Sequence, residues 1–250
     1  MVHTKINQTG YDDALFREAE GLELLRDALE TGGVTDVKVP RVVSVTEKQL
    51  EMTAITPQRQ SEALLVTLGR GLATIHNLPQ SRYGLDRDNY IGLNPQKNIE
   101  SDNWGAFFAD YRLGYQVSLI RNANLRIRFE RVLNAKRTAL IHWLNAHCAG
   151  PSLLHGDLWS GNIMFDGDNP WLIDPAVYYG DSEADLAMTE MFGGLAPAFY
   201  EAYNEIRPFT AEYPRKREIY NLYHFLNHYN LFGDSYLGPC ENAFALIERL

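Results

Sequence analysis

The hydrophobic positions split the chain into a short alternating part and a long helical part. Residues 1–7 predict a short strand. Between 13 and 30, Leu15, Phe16, Ala19, Leu22, Leu25, Ala28 and Leu29 recur three and four apart, the spacing of one helix face. Gly32-Gly33 ends that helix, because glycine takes the left-handed backbone that closes a helical turn. Residues 37–46 and 49–55 predict two strands joined by a turn at Glu47-Lys48. Thr56-Pro57 breaks the alternation. Ser61 then caps a helix whose buried stripe is Leu64, Leu65, Leu68, Leu72 and Ile75, ending near His76. Residues 79–101, rich in Pro, Gly, Asn and Asp, predict a loop. Helices are predicted over 104–122 and 126–146. After a short apolar segment at 153–155, two apolar runs at 162–165 and 171–173 flank Asp166-Gly167-Asp168-Asn169, a hairpin signature. Further helices are predicted near 182–192, 196–206, 215–231 and 240–249. The expected fold is α+β: a small β-containing piece at 1–55, then a mainly helical piece at 56–250 with one hairpin.

Composition narrows the class. The chain has 250 residues, enough for two closely packed lobes, and its formal charge is −9. Such a chain repels nucleic acid and anionic membrane in bulk, so neither is expected as a partner. A nucleotide remains possible, since it needs only local cations and a metal. Cys148 and Cys240 are far apart and outside any CxxC motif, which predicts reduced thiols rather than a disulfide or zinc site. With no signal-type apolar core and no 18-residue apolar run, a cytoplasmic location is expected.

The chemistry concentrates in HGDLWSGN at 155–162, followed by Ile173-Asp174-Pro175. A lone loop aspartate is ordinarily a turn former. Here Asp157 is followed by Asn162 five residues on, then by a hairpin, then by Asp174 at the end of its return strand. That sequence of features places one carboxylate at an acceptor hydroxyl and an amide and a second carboxylate at a metal. Phosphoryl transfer asks for this, because the protein's part is positioning and charge neutralisation. Magnesium takes hard oxygen ligands, one or two of them carboxylates. The logic is that of kinase catalytic and metal loops, with H-G-D and D-P-A in place of H-R-D and D-F-G.

These residues resemble the fructosamine kinase (ketosamine-3-kinase) family, within the aminoglycoside-phosphotransferase-like kinases. The resemblance is carried by HGDLWSGN, IDPA at 173–176, YYGDSEADLAM at 178–188 and MFGG at 191–194. It extends to YGLDRDNYIG at 83–92, Asn103-Trp104, FFADYRLGYQ at 107–116 and YNLYHFLNHYNLFG at 220–233, nearly the whole chain. Trp159 separates it from most aminoglycoside kinases. The resemblance implies a protein-kinase-like two-lobe fold and ATP-dependent phosphorylation of a sugar hydroxyl on a ketosamine, small or protein-bound. It implies Asp157 as catalytic base, His155 as the residue orienting its loop, and Asn162 and Asp174 as ligands of Mg2+. Lys5 resembles the lysine that holds the α- and β-phosphates, and Glu18 its helix partner; Glu20, two residues on, faces elsewhere. The strand at 50–55 would be the hinge, with Met52, Thr53 and Ile55 around the adenine. Asp185 would hold loops in place, while Trp104, Phe107, Tyr223 and His224 read as core.

The family begins with two further strands and a glycine-rich turn before its lysine strand, whereas this sequence starts almost at that strand. The expected small lobe is therefore truncated. A misassigned start, a true truncation and a partner-supplied edge are the three explanations. Two other functions stand beside the leading one: a kinase for an aminoglycoside- or choline-like metabolite, and a non-catalytic binding protein.

Overall fold

The computed structural model describes all 250 residues. Strand β1 (Val2–Ile6) leads to helix α1 (Ala14–Thr31), then β2 (Val42–Val45) and β3 (Gln49–Thr53). β3 lies between the other two, antiparallel to both, with Lys5 opposite Leu50. α1 buries Leu15, Ala19, Leu22, Leu25 and Leu29. It stops at Gly33, whose φ of 67° lets the Val34 N–H donate to the Leu29 carbonyl at 2.8 Å.

The strand expected from residue 37 starts only at Val42. Pro40 has no N–H to give to a ladder. Its neighbour Lys38 bonds elsewhere: its N–H donates to Pro170 O and its carbonyl accepts from Leu172 N–H, both at 2.9 Å. The link from α1 to the sheet is thereby stitched to a hairpin far along the chain.

α2 (Glu62–His76) begins where Ser61 Oγ accepts the Leu64 N–H at 3.3 Å. Within the segment expected as loop, β4 (Asn89–Ile91) and β5 (Asn94–Gln96) form a small hairpin. α3 (Trp104–Phe107) runs through a π-helical turn at Phe108–Gly114 into α4 (Tyr115–Ser118), and Asn122 caps α5 (Ala123–His147). The expected break between these helices is thus four residues earlier than the pattern placed it. β6 (Ser152–Leu154), β7 (Ile163–Phe165), β8 (Pro170–Leu172) and β9 (Tyr178–Gly180) follow, paired β6 with β9 and β7 with β8. α6 (Glu183–Glu190), α7 (Pro197–Ile206), α8 (Tyr213–Phe232) and α9 (Leu237–Ile247) complete the chain. α2 and α7 touch backbone to backbone at Gly69, where a Cβ would stand 2.4 Å from Phe199 O.

Apolar packing is continuous across residue 56. One core joins α1, β3 and α2 to Leu158, Ile163, Phe165 and Leu172 around the β7–β8 hairpin. The other, centred on Trp104, Phe107, Phe108 and Tyr220, belongs to the later helices. No helix is long and apolar enough to cross a membrane. Both cysteines are free.

Candidate active site

β6 delivers the chain to His155, buried beneath the cleft that Asp157 lines. Gly156 then turns at φ 81°, so close to the facing loop that a Cβ would lie 2.0 Å from Ala176 O. Only glycine fits that turn. The Ala176 N–H donates to His155 O at 2.8 Å, and the Ile173 N–H donates to Asn162 O at 3.1 Å. These two bonds hold the segment after β8 against the segment before β7. As a result Asp157, Asn162 and Asp174 line one cleft of about 600 Å3.

Asn162 Nδ2 donates to Asp157 O at 2.8 Å and to Asp157 Oδ2 at 3.1 Å. Asp157 is pushed up to about 7 by burial, against the pull of that bond, with the charge of Asp174 adding to the rise. His155 is buried and its pKa is lowered, so it is neutral. Its partners set the tautomer: Nδ1 faces the Asp157 N–H at 3.3 Å, leaving Nε2–H to donate to Ile173 O at 2.9 Å. The ring thus spans the two loops.

Asp174 is the one non-glycine residue with positive φ, at 52°. Aspartate tolerates that region better than most residues, and such outliers gather at functional sites. It stands 3.2 Å from Lys5 Nζ, which also donates to Glu18 at 2.7 and 2.8 Å. Burial opposes the Lys5 charge, but Glu18 and Asp174 outweigh it and raise its pKa. Burial raises Glu18. Glu20 points away, to Arg17 and Arg87.

Asn162 Oδ1 accepts no bond from the chain, and the Asp174 side chain is 44% exposed to the cleft. This pair offers only hard oxygen donors, which suits Mg2+ with phosphate and water completing its shell. No cluster of three His, Cys, Asp or Glu exists for a softer or more demanding ion.

The expected hinge residues sit apart from this cleft's lining. Met52 is buried, the Thr53 N–H donates to Arg41 O at 2.9 Å, and the Ala54 N–H to Met1 O at 3.1 Å. The Ile55 N–H has no partner in the chain.

Behind the loops stand residues that sequence reasoning missed or placed only loosely. Asp185, fully buried, accepts the N–H groups of His155 and Gly156 at 2.7 and 2.9 Å. Burial works against its charge, yet these bonds and His76 hold its pKa down. His76 Nε2 is 3.4 Å away, and its Nδ1 pairs with Tyr203 OH. Asn89 Nδ2 donates to Val177 O, Gln96 Nε2 to Ala176 O, and Tyr223 OH to Gln96 Oε1. The β4–β5 hairpin therefore braces the strand beyond Asp174. Arg112, buried on the π-helical turn, lies 3.9 Å over the Tyr178 ring and donates to Lys97 O and Asn98 Oδ1. Lys216, also fully buried, pairs with Asp181 at 2.5 Å and Glu183 at 2.6 Å, and donates to His147 O. A run of polar residues in 83–98 was the only sequence signal for Asn89 and Gln96, whereas the family resemblance had pointed to Asp185. The buried lysine gave none.

Asp157's pKa carries a test. A carboxyl raised from 3.8 to about 7 stabilises the fold fully below its unfolded pKa, and that contribution is lost as pH rises through 7. Asparagine has no such loss. In metal-free buffer, the melting temperature of Asp157→Asn relative to the parent will climb between pH 4 and 8; a constant offset would refute the shift.

A three-stranded sheet over a helical lobe, with a lysine–glutamate pair facing an Asp–Asn–Asp cleft, defines a small-molecule phosphotransferase of the protein-kinase-like fold. Solved structures agree on the fold: the choline kinase LicA of Streptococcus pneumoniae, 16% identical, covers all of this chain and 86% of its own at a TM-score of 0.64. The chain belongs to the fructosamine kinase family, whose profile matches residues 1–249. A solved Thermobifida fusca protein assigned as a fructosamine-3-kinase is 27% identical, with a TM-score of 0.83 over 100% of this chain and 86% of that one. The "Probable ketoamine kinase" of Vibrio parahaemolyticus is 37% identical over 95% of this chain and 81% of its own length. The chloroplastic protein-ribulosamine 3-kinase of Arabidopsis thaliana is 42% identical over 68% of this chain and 52% of its own.

Proposed function

We propose that this chain transfers the γ-phosphoryl group of ATP to a sugar hydroxyl of a ketosamine, of the fructosamine or ribulosamine type. The observation that carries the reading is the convergence of Asp157, Asn162, Asp174 and Lys5 on one cleft. Asp157 orients the acceptor hydroxyl and takes its proton. The acceptor oxygen forms its bond to phosphorus as the bond to the ADP oxygen breaks, in line. A carboxyl with its pKa near 7 suits a base at neutral pH. Lys5, fixed by Glu18, holds the α- and β-phosphates. Asn162 and Asp174 hold Mg2+, which neutralises phosphate charge when bound. His155 carries no proton in the reaction; it orients Asp157's loop. Met52, Thr53 and Ile55 flank the adenine, and the free Ile55 N–H is the group able to donate to its ring. Trp159, His228 and Phe232 wall the outer end of the cleft, where the acceptor enters.

The test is acceptor profiling with γ-labelled ATP against a fructosamine, a ribulosamine, choline and kanamycin. Label on a ketosamine is expected. Label on choline or kanamycin without any on a ketosamine would overturn the reading.

A further inference from the structure

On the outer side of the small sheet, a second cleft of about 540 Å3 lies between the C-terminal half of α1, the segment from Gly33 to Arg41, the end of β3 and Trp171 of β8. It is separate from the Asp157 cleft and shares no residue with it. Three cations line it: Arg26, Lys38 and Arg41. None has a carboxylate within ion-pair distance. Arg26 spends Nη2 on the Pro40 carbonyl at 3.1 Å, and its Nε is buried with no partner. Glu30 is the only carboxylate in the wall, so the cleft is net positive in a chain of charge −9. An anion bound among three cations that lack counter-charges is attracted by each of them. Much of the rest of the wall is apolar or aromatic, Val34, Val37, Val39 and Trp171 among it, with Thr35 and Thr53 also lining it.

We propose that this cleft binds a phosphate monoester with a sugar-sized body, the phosphate held by Arg26, Lys38 and Arg41 and the body against Trp171. The volume decides between a bare ion and a metabolite: it falls in the range of small-molecule sites, well above what inorganic phosphate fills. Guanidinium groups match phosphate oxygens in pairs, and an aromatic face packs the C–H side of a sugar ring. A ligand there touches two elements that reach the catalytic cleft: α1 carries Glu18, and β8 leads to Asp174.

Isothermal titration with glucose 6-phosphate and with inorganic phosphate tests this, on the parent and on Lys38→Ser/Arg41→Ser. One molecule of glucose 6-phosphate per chain is expected, bound at least tenfold tighter than inorganic phosphate. The double variant should lose tenfold or more in that affinity while its melting temperature and its phosphorylation rate without added sugar phosphate match the parent's. Equal affinity in parent and variant would place the ligand elsewhere and overturn the proposal. So would an absence of binding heat, or inorganic phosphate binding as tightly as the monoester.

Discussion

Asp157→Asn will lower kcat by about 10²–10⁴-fold, the range a positioned general base contributes, with the KM for ATP nearly unchanged. Asparagine keeps the shape and can still meet the Asn162 amide, now 3.1 Å from the carboxylate. What it lacks is a basic oxygen for the acceptor proton. Initial rates at saturating ATP and ketosamine check this. A variant turning over within threefold of the parent would remove Asp157 from the chemistry, whereas a large rise in KM for ATP would assign it to nucleotide binding instead.

Asp174→Asn should cost about 10²–10³-fold in kcat/KM, comparable to the loss of one preorganised electrostatic partner at a transition state. The substitution is chosen for its backbone: asparagine also accepts a φ of 52°, so the turn survives. Two effects add. The cleft loses the carboxylate facing the metal, and Lys5 loses a partner at 3.2 Å while keeping Glu18. The Mg2+ concentration giving half-maximal rate will rise, and excess Mg2+ will recover part of the rate. No change in that concentration would mean the carboxylate does not face the metal.

The difference between these two residues and the remainder of the site is one of sequence distance. Asp157, Asn162 and Asp174 lie within eighteen residues of each other, joined by a hairpin whose Asp166-Gly167-Asp168-Asn169 turn is itself a local signal. Their meeting is nearly dictated by the chain between them. Lys5 and Glu18 carry no local signal of pairing; a strand lysine and a helix glutamate are common on surfaces. Only the family resemblance singled them out, and the structure then shows them 2.7 Å apart.

Asp185 with His76, and Asn89 with Val177, join positions about a hundred residues apart through residue types found in any loop. Periodicity cannot reveal such pairs. β4, β5 and β9 escaped for a different reason: three residues are too few for a two-residue period to register, and unlike β7 and β8 they flank no Asp-Gly turn. The π-helical turn was hidden because one widened turn barely alters a helical pattern. The helices were legible where the stripe was long and the cap chemical, as at Ser61 and α2. The late start of the strand predicted at 37–46 followed from Pro40 and from a hairpin about 130 residues further on, which no local reading contains.

The Lys216 cluster constrains how this sequence can diverge. Lys216, Asp181 and Glu183 are almost wholly buried, one cation held between two carboxylates. Replacing Lys216 strands two carboxylates in the interior, a change that typically costs about 3–5 kcal/mol, whereas replacing one carboxylate leaves a paired lysine. Replacing all of them by well-packed apolar residues need cost little, but that requires passage through the costly single steps. The three positions are therefore expected to persist or vanish together among descendants of this chain, inherited as a unit although none of them lines the Asp157 cleft.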